Sequence, residues 1–145
     1  MNAADPSLLL DHSAWSRLNR PELAAERRQE IAGLFERNNL IVSLPFLLEA
    51  GYSARDSRDH AALMEKLRKQ PHAAIDAEVE ARAVDAQAQL ARAGHLRVPP
   101  VDVILAALAE RGAAGILHYD RDFDLIRERT DLRFQSVWLA EPGTL

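Results

Sequence analysis

The sequence contains no cysteine, so it can form neither disulfide bonds nor zinc–thiolate sites and offers no thiol nucleophile. It also has no apolar run near the roughly 18–20 residues that a membrane-spanning helix needs. Residues 1–6 lack a basic segment, and we therefore expect no signal peptide. These absences are compatible with a reducing cytoplasm and predict a protein without a membrane segment.

The sequence has few basic residues relative to acidic ones. Its 18 Lys and Arg and 22 Asp and Glu give a formal net charge of −4. Domains that bind nucleic acid usually carry a basic excess, so this balance alone argues against one. The objection weakens if several acids converge on a metal ion, since the ion reverses the local field. Some Arg residues would then be free to meet phosphates. Candidates are Arg17, Arg20, Arg55, Arg97, Arg121 and Arg127.

The length of 145 residues suits one compact domain. Hydrophobic residues make up 48% and charged residues 28% of the chain, as in ordinary soluble globular proteins. We find no repeat, linker or low-complexity stretch. We therefore expect a single domain over residues 1–145, with mobile ends at 1–6 and 141–145.

Short apolar runs alternate with helical patterns along the whole chain. The pattern predicts strands at 7–10, 40–43 and 115–118, a weak strand at 73–75 and an edge strand at 133–139. Between them it predicts helices at 12–19, 23–35, 45–54, 57–69, 76–94, 101–111 and 123–129. Such alternation is typical of an α/β domain with a mostly parallel sheet of four to five strands.

Five acidic side chains are placed near predicted strand ends and helix starts: Asp11, Glu49, Asp102, Asp120 and Asp122. Asp11 ends the first strand, and Asp102 opens the helix before the strand at 115–118. The carboxyl ends of parallel strands and the N-termini of the helices that return to them share one edge of the sheet. We therefore expect these acids to converge although they are far apart in sequence.

Each acid also has a purely structural explanation. Asp102 and Asp122 can serve helix starts as caps or favourable charges, and Asp124 is expected to be solvated. Glu49 and Asp11 are harder to explain, because a carboxylate in buried surroundings without a nearby cation is unstable. Several such acids on one edge would repel each other strongly unless a cation or protons intervene. The set therefore predicts a metal site.

Oxygen ligands without cysteine favour Mg²⁺ or Mn²⁺. Mg²⁺ shares its coordination with water and substrate phosphates, so we predict a nuclease whose ion activates a water for attack on phosphorus. Ser13 can hold a ligand or phosphate through its hydroxyl, or it can cap a helix. For His12 and His118 a general-base role is open, but a place in solvent or in the core is favoured.

Four segments carry a recognisable combination of residues: Leu8–Ala14, the isolated Glu49, Val98–Ala107 and Leu117–Asp124. Together they resemble the PIN domain family, and within it the VapC toxins of bacterial type II toxin–antitoxin pairs. The resemblance covers almost the whole chain. It implies a three-layer α/β/α sandwich, Mg²⁺ or Mn²⁺ dependence and endoribonuclease activity on RNA. It also implies a homodimer and neutralisation by a VapB antitoxin.

The family's acidic catalytic quartet is matched by Asp11, Glu49, Asp102 and Asp120, and its frequent fifth member by Asp122. The resemblance implies that all five hold the metal and that Ser13 matches the small hydroxyl residue after the first Asp, which supports the site or the substrate. The sequence departs little from the family pattern. A short extension precedes the first strand, and the strand near Ala73 is weak.

A cluster of carboxylates is a natural receptor for an Arg guanidinium, which binds two oxygens at once. We hypothesise that the tail of the antitoxin places an Arg or Lys in the site and displaces the metal or the substrate. Trp15, Leu18 and the predicted helix at 44–54 are candidates for a groove that holds a helical part of the antitoxin. For Trp15 a place in the ordinary core is equally open.

Other protein classes fit the sequence less well. A haloacid-dehalogenase-like phosphatase needs a second Asp two residues after the first, where Ser13 stands. A response-regulator receiver needs a Lys near the site, and the only lysines, Lys66 and Lys69, lie on a predicted outer helix. A non-catalytic PIN binding module would be expected to have lost acids, and none is missing here.

Overall fold

A computed structural model of the chain describes residues 6–145, so the N-terminal end that we expect to be mobile lies almost wholly outside the described residues. Within 6–145 the strands are β1 (Leu8–Leu10), β2 (Leu40–Ser43), β3 (His72–Ala73), β4 (Gly115–His118) and β5 (Gln135–Trp138). The helices are α1 (His12–Trp15), α2 (Ala25–Glu36), α3 (Leu44–Tyr52), α4 (Ser57–Leu67), α5 (Ala77–Arg92), α6 (Pro100–Arg111) and α7 (Asp122–Arg129).

All five strands join one parallel sheet in the order β3-β2-β1-β4-β5. The central strand β1 pairs with β2 through Leu8 and Leu40, and with β4 through Leu10 and Leu117. This confirms the predicted α/β class and strand number, and the sheet is parallel throughout. Because all strands run the same way, their carboxyl ends share one edge.

The side chains of β1 alternate between two cores, one on each face of the sheet. Leu9 belongs to a core shared with α5, α6 and α7, whereas Leu8 and Leu10 belong to a core shared with α1 to α4. All three leucines are at most 2% exposed, and burial of each contributes about 1.5–3 kcal/mol. The helices therefore form two layers around the sheet, which confirms the three-layer sandwich.

Helix α6 is buried over most of its length, as its nearly all-round apolar sequence predicts. Proline at positions 99 and 100 suits the start, where a missing backbone N–H costs no helical hydrogen bond. The helix contacts α5, β1 and β4, and a short connection leads from its end directly into β4. Its N-terminus, which carries Asp102, therefore lies at the carboxyl edge of the strands.

Several elements differ in detail from their predicted bounds. Strand β3 is shorter and begins earlier than predicted, because pairing with Val42 is made by His72. Helix α1 ends at Trp15, after one turn. At the C-terminus, the Leu145 N–H donates to the Tyr119 hydroxyl over 2.8 Å. Among the described residues, no helix combines the length and apolar character that a membrane crossing requires.

Candidate active site

Three carboxylates form a compact group at the carboxyl edge of the sheet. Asp102 comes from the first turn of α6, Asp120 from the turn after β4, and Asp122 from the first residue of α7. One oxygen from each lies within 4.8 Å of those of the other two. Oxygens at this spacing can share a cation, because Mg²⁺ and Mn²⁺ bind oxygen at about 2.0–2.2 Å. The chain thus brings together three of the five predicted acids as a tight cluster.

Asp102 is the most buried member, with 7% of its surface exposed. Its Oδ2 is buried and has no hydrogen-bond partner, although buried polar atoms are normally paired. Burial, followed by repulsion from Asp11, Asp120, Asp122 and Glu49, raises the pKa of Asp102 to about 8. The side chain does not cap α6, which has no side-chain cap. An unpartnered, buried carboxylate oxygen among other acids fits a divalent cation.

Asp11 is held at the tip of β1 by Ser13. The Asp11 carboxylate accepts hydrogen bonds from the Ser13 backbone N–H, over 3.0 Å, and from the Ser13 hydroxyl. Burial raises the pKa of Asp11, and the bonds from Ser13 oppose that rise. The Ser13 hydroxyl in turn accepts the Tyr119 N–H over 2.9 Å. Asp11 rather than Ser13 therefore caps α1, and Ser13 ties the ends of β1 and β4 together.

Glu49 lies on α3, half-buried, at the border of the cluster. Burial, followed by repulsion from Asp11, raises the pKa of Glu49. His12 counteracts the rise in the pKa of both acids, and its Nδ1 is buried without a hydrogen-bond partner. Glu49 and Asp11 therefore share an electrostatic field with the tight cluster without belonging to it.

Asp120 organises the turn that leads into α7. Its backbone N–H donates to His118 Nδ1 over 3.1 Å, and its Oδ1 accepts the Asp122 N–H over 2.9 Å. The alternative that Asp122 caps α7 gains no support, since the helix has no side-chain cap at its N-cap residue, Arg121. Burial and then the nearby Asp120 raise the pKa of Asp122.

Asp124 is not the solvated side chain that the sequence led us to expect. It accepts hydrogen bonds from the Ser136 hydroxyl, over 2.5 Å, and from the Trp138 indole N–H, over 2.9 Å. Ser136 also contacts His118, a fully buried residue whose pKa is lowered to about 4 by burial. His118 is thus a core imidazole, as favoured, but one tied to the site. The only signal in the sequence was a Ser and a Trp two residues apart on an edge strand.

The candidate phosphate-binding arginines lie in different parts of the fold. The Arg17 guanidinium lies 4.9 Å from the centre of the Tyr119 ring and donates to the Ser13 carbonyl over 2.9 Å. Arg121 is exposed between two cluster acids. By contrast, Arg127 lines a cleft with Ser7 and Gly115, at the opposite edge of the sheet. Of these three, Arg17 and Arg121 lie near the carboxyl edge of the sheet that carries the acidic cluster, and Arg127 does not.

The sequence model of the PIN domain family matches residues 8–129. Ribonuclease VapC18 of Mycobacterium tuberculosis is 31% identical over 139 residues, covering 94% of this chain and 97% of the relative. Ribonuclease VapC21 of the same species is 35% identical over 138 residues, covering 94% and 96%. The chain therefore belongs to the PIN domain family, and within it to the group of VapC proteins.

Solved structures share the fold at lower identity. The DNA-bound VapBC complex from Salmonella typhimurium contains a chain with a TM-score of 0.70 and 18% identity, covering 94% of this chain and 100% of that one. VapBC2 from Rickettsia felis, bound to a promoter fragment, gives a TM-score of 0.69 at 15% identity, covering 90% and 98%. At these identities the likeness establishes the fold, and it confirms the predicted PIN-like architecture.

Proposed function

We propose that this protein is a Mg²⁺- or Mn²⁺-dependent endoribonuclease that acts as the toxin of a type II toxin–antitoxin pair. The observation that carries the proposal is the cluster of Asp102, Asp120 and Asp122, in which Asp102 Oδ2 is buried and unpartnered. The family supports the same reading, since the relatives VapC18 and VapC21 are both ribonucleases by name. All members of the family's acidic quartet are present in this chain.

The metal ligands nearest one another are Asp102, Asp120 and Asp122, and Asp11 and Glu49 complete the charge around them. A bound ion would supply an activated water and offset negative charge on the phosphodiester. Ser13 fixes the Asp11 carboxylate through two hydrogen bonds, which holds that acid against its neighbours. Glu49, whose pKa is raised, is suited to accept a proton at the border of the cluster.

The proposed RNA path runs over Arg17, Tyr119 and Arg121. Arg17 and Arg121 provide positive charge beside a cluster that would repel RNA without its cation. Arg17 lies against the Tyr119 ring, which orients its guanidinium at low entropic cost. This local arrangement answers the objection that the net charge of −4 raises against a nucleic-acid enzyme.

Cleavage of RNA tests the nuclease proposal. We expect the purified protein to cut RNA with Mn²⁺ or Mg²⁺ and to lose activity in EDTA. Asp102→Asn and Asp120→Asn should each lower the cleavage rate at least about a hundredfold, because both remove a charge from the cluster. Glu80→Gln, an exposed acid on α5, is the matched control and should keep full activity. Metal binding without any cleavage would instead favour a non-catalytic binding module.

The proposed antitoxin partner occupies a cleft of about 420 Å³ that α1, α2 and α4 line on one face of the molecule. Trp15 and Leu18 form part of this cleft, and Trp15 also contacts Phe35 and Phe46. The Lys66 ammonium lies 5.4 Å from the centres of the Trp15 and Phe35 rings. The floor of the cleft is apolar and its polar rim includes Lys66 and Glu36, which suits an amphipathic helix.

Co-purification tests this partner. The small protein encoded beside this gene should bind the wild type, and Leu18→Glu should weaken the complex because it places a charge in the cleft. Val84→Glu, on the exposed side of α5, is the control. Our hypothesis that an antitoxin Arg or Lys enters the acidic cluster requires the complex to bind Mn²⁺ more weakly than the free protein. Equal Mn²⁺ affinity in the two forms would contradict it.

The proposed homodimer uses the outer face of α3. Leu44, Leu48 and Tyr52 are 51%, 64% and 93% exposed and recur every four residues, so they form one apolar stripe. A row of large apolar side chains on the surface marks an interaction site more often than isolated ones do. Sedimentation should show a dimer, and Leu48→Glu should convert it to a monomer. A wild-type protein that stays monomeric at high concentration would contradict this assignment.

A further inference from the structure

The buried imidazole of His118 connects the acidic cluster to the edge strand. His118 is the last residue of β4 and is 0% exposed. On one side, its Nδ1 lies 3.1 Å from the Asp120 backbone nitrogen. On the other, its Nε2 lies 2.6 Å from the Ser136 hydroxyl on β5. Both ring nitrogens are therefore engaged, and neither is free to act on a substrate.

The direction of these hydrogen bonds follows from what each group can do. The Asp120 N–H can only donate, so His118 Nδ1 must accept and its proton resides on Nε2. Nε2–H then donates to the Ser136 hydroxyl, and the Ser136 O–H donates to Asp124 Oδ1 over 2.5 Å. The Trp138 indole N–H donates to the other oxygen of Asp124 over 2.9 Å. The relay thus runs one way, from Asp120 to the Asp124 carboxylate.

Packing holds the ring in this orientation. The centroid of the His118 ring lies 4.8 Å from that of Phe123 and 4.9 Å from that of Trp138. Trp138 itself is fixed by its bond to Asp124. The imidazole therefore has one favoured rotamer, with Nδ1 directed at the turn that carries Asp120.

Asp120 depends on this contact because it follows β4, where the strand pairing ends. The last paired residue of β4 is His118, which faces Trp138 on β5. Beyond it, the Asp120 N–H has His118 Nδ1 as its acceptor, and the Asp120 carboxylate binds the Asp122 N–H. If Nδ1 were lost, the Asp120 amide would be left without its acceptor, and the turn would lose one of the hydrogen bonds that hold it. The position of Asp120 relative to Asp102 would then be less well defined.

We propose that His118, anchored through Ser136 to Asp124, is a positioning residue that holds Asp120 in the geometry for the divalent cation. Asp124 is then the fixed end of a support chain and not a metal ligand. The inference rests on the proposed function, because it assigns a support role for the same site. It also assigns a supporting role to the edge strand β5, since Ser136 and Trp138 both belong to it.

The binding of Mn²⁺ alone, measured by calorimetry, tests the relay. His118→Leu keeps an apolar side chain in the core but removes both nitrogens, and it should raise the Kd about 10–100-fold. His118→Asn restores an acceptor near the position of Nδ1 and should recover affinity to within about threefold of the wild type. An equal loss in the Asn and Leu variants would overturn the inference.

A second pair of variants keeps the test independent of folding at position 118. Ser136→Ala breaks the relay, leaves the His118 side chain itself unchanged, and should raise the Kd for Mn²⁺ about 3–10-fold. Gln135→Ala, exposed on the same strand, is the matched control and should leave the Kd unchanged. Circular dichroism and thermal unfolding establish that each variant is folded. A lower melting temperature with unchanged Mn²⁺ affinity in both His118→Leu and Ser136→Ala would reduce the relay to a packing role and overturn the inference.

RNA cleavage separates positioning from catalysis. Loss of activity in His118→Leu should recover as the Mn²⁺ concentration rises, because the variant would weaken the ion's site and not remove a reacting group. A cleavage rate that stays low at saturating Mn²⁺ would overturn the positioning role. Failure of the wild type itself to bind Mn²⁺ would overturn the proposed function together with this inference. Normal wild-type binding that no relay variant changes would overturn this inference alone.

Discussion

Asp102 and Asp120 face each other across the junction of α6 and the β4–α7 turn, with one oxygen of each within 4.8 Å of the other. Asp102 is buried and one of its oxygens has no hydrogen-bond partner, so its charge is poorly solvated in the metal-free fold. Two such carboxylates repel when both are ionised. The site therefore lowers the stability of the metal-free protein, and a cation would reverse the effect.

Asp102→Asn should stabilise the metal-free protein. The amide resembles the protonated acid that the folded state favours at neutral pH, and it needs no proton uptake on folding, so we expect the free energy of unfolding in EDTA to rise by about 1–2 kcal/mol at neutral pH. The same variant should lose the stabilisation that we expect Mn²⁺ to give the wild type. Urea denaturation measures both effects. Glu80→Gln, exposed on α5, should change neither, and a less stable Asp102→Asn protein in EDTA would contradict the expectation.

The stability of the metal-free protein should fall as the pH rises. The folded-state pKa of Asp102 is raised from 3.8 to about 8, so the folded protein binds this proton more tightly than the unfolded chain does. Its contribution to stability is complete below the unfolded value and is lost as the pH passes through the folded one. Asp11, Glu49 and Asp122 are shifted in the same direction.

The cation should change that pH dependence. The proposed cation requires ionised acids, so the rise in melting temperature with Mn²⁺ should increase between about pH 6 and pH 8. Thermal unfolding with and without Mn²⁺ across this range provides the measurement. In Asp102→Asn the slope with pH should be shallower. A Mn²⁺ effect that is larger at the acidic end would mean that the acids do not bind the ion in their charged form.

Ser13→Ala should weaken the connection between β1 and β4. The change leaves the Tyr119 N–H without its acceptor and removes one bond to Asp11, which we expect to cost about 1–2 kcal/mol of unfolding free energy. RNA cleavage should also fall, because Asp11 loses one of the two hydrogen bonds that orient its carboxylate. Ser16→Ala, at an exposed neighbouring serine, provides the comparison for denaturation and cleavage. Equal stability of the two variants would argue against a role of the Ser13 hydroxyl in connecting β1 and β4.

Arg82→Met should destabilise the fold without changing the acidic cluster. Arg82 on α5 binds Glu110 on α6 through two nitrogens, at 2.8 and 3.2 Å, and Asp131 at 3.0 Å. We expect a loss of about 1 kcal/mol at low salt and a smaller loss at high salt. Denaturation at two ionic strengths measures it, with Arg92→Met at the end of the same helix as control. The Kd for Mn²⁺ should be unaffected.

The acidic edge could be predicted because local patterns determine it. Asp11 and Asp120 follow short apolar runs, and the parallel order of such strands brings their ends together without any knowledge of side-chain contacts. The relative closeness of the acids could not be predicted in the same way. Asp102, Asp120 and Asp122 form the tight cluster, whereas Glu49 lies at its border, since that depends on how α3 packs.

The hydrogen bonds that support the site could not be predicted from the sequence, because they join elements that are distant along the chain. Asp124 looked solvated on its helix, and only the position of β5 reveals its two donors, Ser136 and Trp138. Ser13 looked like either a cap or a ligand, and its contact with Tyr119 joins residues 106 positions apart. The exact span of β3 depended on pairing with β2, where the local sequence gives little preference.

The sheet order also governs when the acidic site can exist during folding. Strand β1 pairs with β2 and with β4, so the register between Leu10 and Leu117 brings together segments from opposite ends of the chain. Such long-range pairing forms late, because it requires closure of a large loop. A chain that is still being synthesised has no Asp120 to place beside Asp102. The tight cluster of Asp102, Asp120 and Asp122 can therefore form only after the segment from β1 to Asp122 has left the ribosome.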